Sequence, residues 1–112
     1  MPDTPKRINR LLREYAAQAH EEDLRRALLP VAEAFKRWER RELDSGELTE
    51  IVHRFHQGAA RDLWVRYNTA HLEMVVAFAI TTGVLNRDTI PTELLDHLAG
   101  PMRFYEEEQT TS

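Results

Sequence analysis

Apolar residues along the first forty positions recur at helical spacing, but in two stripes that do not share a phase. Ile8, Leu11, Leu12, Tyr15 and Ala19 form the first stripe; Leu24, Leu28, Val31, Phe35 and Trp38 form the second. At about 100° per residue the two lie roughly 160° apart, so one straight helix would turn them to opposite sides. The pattern therefore predicts a helix opening at Pro5 behind a Thr4 cap. It predicts a break in the polar stretch His20-Glu21-Glu22-Asp23 and a second helix beyond it. Pro30 sits inside the second stripe without disturbing its phase, which favours a kink over a stop at Leu29. Asp44-Ser45-Gly46 reads as a turn.

A third helix is predicted from Glu47 to Tyr67, on the stripe Leu48, Ile51, Val52, Phe55, Ala59 and Leu63. Gly58 lies inside it and marks a bend or a close helix contact. Residues 69–82 form a fourth helix. Its segment Met74 to Ile80 is apolar on every side, as expected of a central buried helix. Gly83 suits its C-terminal stop, with Val84 and Leu85 packing back. Pro91 opens a short fifth helix carrying Leu94, Leu95 and Leu98, and Gly100-Pro101 closes it. Met102, Phe104 and Tyr105 are expected to dock a last turn, and residues 109–112 to form a loose tail. The fold class expected is all-α: a single-domain bundle of about five helices over residues 1–112, with the apolar helix near residues 69–82 at its centre.

Composition narrows the setting. Hydrophobic residues make up 42% and charged residues 30%, a globular balance. The chain has no cysteine, which excludes disulfides, cysteine-ligated zinc, thiol nucleophiles and iron–sulfur clusters. No apolar leader is visible between Met1 and Arg13, and no apolar run approaches the roughly 20 residues of a membrane span. A soluble cytoplasmic protein without membrane contact is the expectation. The net charge of −4 argues against general nucleic-acid binding. The charge is uneven, however. Basic residues gather at Lys6, Arg7, Arg10 and Arg13, and acidic ones at Glu106, Glu107 and Glu108. The basic run is read first as a solvated face paired with that acidic cluster. Its alternative is the contact surface of a nucleic-acid-associated regulator, disfavoured because only Tyr15 interleaves the run.

Chemistry concentrates in one window of the third helix. Glu50, His53 and His56 recur at intervals of three, and a Glu-x-x-His pair on adjacent helical turns is the way di-metal bundles present two ligands. His71 and Glu73 are the only further donors at the start of the fourth helix. The window points away from the core stripe, so a small metal-binding or metal-dependent protein is the alternative reading and not the leading one. A second stripe, His53, His56, Ala60, Trp64 and Tyr67, combines apolar area with polar tips, as contact surfaces between proteins do. Intrachain packing of this stripe is the competing reading. Its histidines would make a contact sensitive to pH between about 5 and 8. No catalytic residue emerges: Ser45 and Ser112 are the only serines, no phosphate-binding loop occurs, and Asp96 and His97 diverge as sequence neighbours on a helix. The expectation is a non-enzymatic helical protein-interaction module without a cofactor, self-associating as a homodimer.

Overall fold

The computed structural model describes residues 5–111, so the Thr4 cap lies outside the described residues. Six α-helices and one 3₁₀ turn account for nearly all of it, and no strand occurs among the described residues. The fold is all-α.

The first helix, α1 (Lys6–Glu39), is 34 residues long and unbroken. The break expected at His20–Asp23 does not occur. The two stripes do face opposite ways; the rest of the chain covers the first and only partly covers the second. Around the N-terminal half, Ile8, Leu11, Leu12, Ala16 and Ala19 are buried; around the C-terminal half only Ala34 is. A helix can carry two cores on two faces if the rest of the chain reaches both sides of it. Pro30 lies inside α1 and is exposed, and the helix continues through it to Glu39. Arg41, at φ 64°, closes α1 in the left-handed conformation. Its N–H donates to the Trp38 carbonyl at 3.0 Å and that of Glu42 to the Arg37 carbonyl at 2.8 Å, the paired C-terminal bonds that satisfy the last carbonyls.

The predicted third helix is two helices, α2 (Ser45–Gln57) and α3 (Ala59–Tyr67). Gly58, at φ −104° and ψ −95°, separates them. A Cβ there would stand 2.9 Å from the Arg54 carbonyl oxygen, so the bend needs glycine. Asp44-Ser45-Gly46 is the start of α2, not a free turn. The Asp44 carboxylate accepts from the Glu47 N–H at 2.7 Å, and the Glu47 carboxylate accepts from the Asp44 N–H at 3.1 Å. This reciprocal cap stabilises a helix start by about 1 kcal/mol.

The fourth helix, α4 (Leu72–Thr81), is the central apolar element. Val75, Val76, Ala77, Ala79 and Ile80 are buried, and α4 packs on both α1 and α6. Gly83 ends it at φ 81°. The Gly83 N–H donates to the Ile80 carbonyl at 3.2 Å and the Leu85 N–H to the Ala79 carbonyl at 3.0 Å, which returns Leu85 to the core. After the 3₁₀ turn Arg87–Thr89 comes α5 (Thr92–His97). Gly100-Pro101 does not close the chain's helical part. It lies in the first turn of α6 (Ala99–Thr111), where proline's missing donor costs nothing. Met102 docks on the core as expected, but on a full helix, and the stretch from Gln109 to Thr111 is helical instead of a loose tail.

Two hydrophobic clusters result. The larger joins the N-terminal half of α1 to α4, α5 and α6, with Val76, Leu94 and Leu98 fully buried. The smaller holds only Ala34, Leu43 and Leu48, flanked by Ile51, where the C-terminal half of α1 meets α2. The molecule is long for its size. Its extents are 61 × 32 × 23 Å and its radius of gyration 17.7 Å, against about 13 Å for a compact domain of this length.

Candidate functional site

The pairing of α1 with the returning α2 and α3 builds the surface of interest. Trp38 at the end of α1 donates its indole N–H to Ser45 Oγ at the start of α2, at 3.0 Å. Tyr67 at the end of α3 reaches back to the middle of α1, where its hydroxyl donates to Asp23 and its ring stacks on His20 at 4.6 Å and 10°. The α2–α3 segment therefore runs antiparallel to α1.

In an antiparallel pair, residues rotated the same way from the contact line fall on the same side of the pair. Leu28 and Phe35 lie about 100° past the Ala27–Ala34 contact line of α1. Val52 on α2 and Trp64 on α3 lie about 70–80° past their own contact lines, in the same sense, and His56 about 110°. All five are exposed, Trp64 by 63%, Leu28 by 45%, Phe35 by 43% and Val52 by 39%. The second apolar stripe read from the sequence is thus only partly a core stripe: the α2 side covers Ala34, while Leu28 and Phe35 stay open. The side is not flat. Glu21, Leu24, Arg25, Leu28, Leu29 and Ala32 line a groove of about 410 Å³. His56, Gln57, Ala60, Arg61 and Trp64 line a second depression of about 640 Å³.

The expected contact stripe divides accordingly. His56, Ala60 and Trp64 come together on the open side. His53 is exposed on the back of α2, about 170° from the contact line. Tyr67 turns inward onto α1. Burial and the hydrogen bond to the Asp23 carboxylate both push its phenol well above the ordinary tyrosine range. Asp23, with 14% of its side chain exposed, also stands 3.7 Å from Arg66, whose guanidinium lies 5.2 Å over the Phe78 ring. This cluster of His20, Asp23, Arg66 and Tyr67 ties the two halves of the molecule together. Sequence reasoning missed it because His20 to Asp23 reads as a helix-breaking polar run. The available signal was the placement of His20 and Asp23 between the two stripes, on the face that a returning helix would meet.

The remaining candidates are dispersed. Glu50 accepts a hydrogen bond from Arg54 at 3.1 Å. His71 is exposed and Glu73 stands 3.9 Å from His97. Among the described residues no group of three or more histidine, aspartate or glutamate side chains converges as a metal ion requires. Of the basic run, Arg7 pairs with Glu93, while Lys6, Arg10 and Arg13 are exposed on α1. Glu106 pairs with Arg87 at 3.4 Å and not with the basic run. Among the described residues no helix is long and apolar enough to cross a membrane.

No protein-family model, curated protein or solved structure matches this chain.

Proposed function

We propose that this protein is a non-catalytic helical interaction module that self-associates, a second copy covering the open side of the α1–α2–α3 unit. The observation that carries the reading is the exposure of Leu28, Phe35, Val52 and Trp64 on one side of an antiparallel helix pair. Each is a large apolar side chain, and four of them exposed on one side, with polar residues between, give that side the mixed character of an interface. One side of the pair, about 35 Å long and about 20 Å wide, supplies on the order of 700 Å². That is close to the roughly 800 Å² per partner of an ordinary stable interface. The extended shape supports the same reading: the small Ala34–Leu43–Leu48 cluster is thin for a protruding helical arm, and a second copy would thicken it. Trp64 and His56 give the surface an amphipathic centre. A cysteine-free chain suits a reducing compartment, and we place it in the cytoplasm.

Sedimentation equilibrium tests the reading. At micromolar concentration the protein should sediment with twice the mass of the chain and dissociate on dilution. A monomer mass at every concentration would end the proposal.

A further inference from the structure

We infer that the second copy lies antiparallel on α1, with the two-fold axis beside Leu28 and Leu29 and each Glu21 facing the partner's Lys36. This inference rests on the self-association proposed above and adds its geometry.

The charge order along α1 carries it. Between residues 21 and 37 the helix reads acidic at Glu21, Glu22 and Asp23, basic at Arg25 and Arg26, acidic at Glu33, and basic at Lys36 and Arg37. Read backwards about the midpoint between Leu28 and Leu29, position 21 falls opposite 36, an acid against a base on the same rim of the helix. A parallel, in-register pair would set every charge against its like, which is destabilising. Closed pairs of identical chains use one patch twice, so the patch must complement itself under a two-fold rotation. This stretch of α1 does so only in the antiparallel sense.

Placement on the helix selects the pairs that meet. Glu21, Arg25 and Lys36 fall within about 60° of one another along the rim of the Leu24–Leu28–Ala32–Phe35 stripe. Glu21 and Arg25 stand at the groove around Leu28 and make no ion pair among the described residues. Lys36 makes only a 4.0 Å approach to Glu33 within the chain. An axis beside Leu28 and Leu29 closes the groove of one copy with the leucines of the other. It also brings Glu21 to the partner's Lys36 at each end.

Charge exchange tests the orientation. Glu21 and Lys36 are both exposed, so Glu21→Lys and Lys36→Glu leave the fold intact. Each pair occurs twice in the dimer and each reversal turns attraction into repulsion, so either single variant should weaken dimerisation about tenfold. The double variant should return to within about twofold of the parent protein. Dimerisation unaffected by the single variants, or weakened by both without rescue in the double, would overturn the antiparallel register while leaving self-association standing. A parent protein that is monomeric throughout would overturn both.

Discussion

Leu28→Glu should yield a folded monomer. Leu28 is 45% exposed in the chain, and leucine and glutamate are both good helix formers, so the variant should lose no more than about 1 kcal/mol of stability. At the proposed interface the same change buries a carboxylate without a partner, and does so once per copy near the symmetry axis. An unpaired charge in a desolvated contact costs several kcal/mol. Dimerisation should weaken at least about a hundredfold, with the helical circular dichroism spectrum unchanged. A Leu28→Glu variant that dimerises like the parent would remove α1 from the contact. One that unfolds would show that Leu28 acts inside the chain.

The opposite behaviour is expected at Leu98, where α5 meets α6. Its side chain is fully buried in the larger cluster, alongside Leu94 and Met102. Leu98→Ala removes that packing and leaves a cavity, at a cost of about 3 kcal/mol. In a chain of this size that should lower Tm by roughly 15 °C. Leu29→Ala makes the informative comparison. Leu29 is 59% exposed, and its truncation should cost under about 1 kcal/mol. Thermal denaturation of both variants in dilute solution checks the pair. Equal losses would mean that the α4–α5–α6 cluster is not the main source of stability.

Several elements could be read in the sequence for reasons that survive in three dimensions. Met74 to Ile80 is apolar on every side, a composition that suits a helix enclosed by others, and Val75, Val76, Ala77, Ala79 and Ile80 are buried while Met74 stays exposed and Phe78 half-buried. Gly83 stands where the chain needs a left-handed residue to leave α4, and it has a φ of 81°. The errors share a different cause. Periodicity reports which side of a helix is apolar, not how many partners the helix has. Two stripes out of phase between Ile8 and Trp38 therefore looked like two helices, when they are two sides of one rod. Gly100-Pro101 misled because proline ends one helix and begins another with equal ease, and the chain after it determines which. The division at Gly58 had a visible signal in that one residue, but its strength depends on how close the Arg54 carbonyl comes. Trp64 and Tyr67 belong to one stripe in sequence and end in different surroundings. Tyr67 meets α1 at Asp23 and His20, while Trp64, three residues earlier and about 60° round the helix, passes beside α1 without being covered. Spacing alone does not separate those two outcomes, because both depend on where the returning helix crosses α1.

The continuity of α1 underlies both clusters and the open side between them, and an intramolecular distance measures it. The chain has no cysteine, so spin labels can be placed on cysteines introduced at the exposed positions Arg10 and Glu33. With labelled protein diluted into unlabelled, pulsed electron spin resonance should give a backbone separation of about 35 Å, the rise of one unbroken helix. A distribution centred below about 25 Å, as a chain folded back on itself near Asp23 would give, contradicts the account.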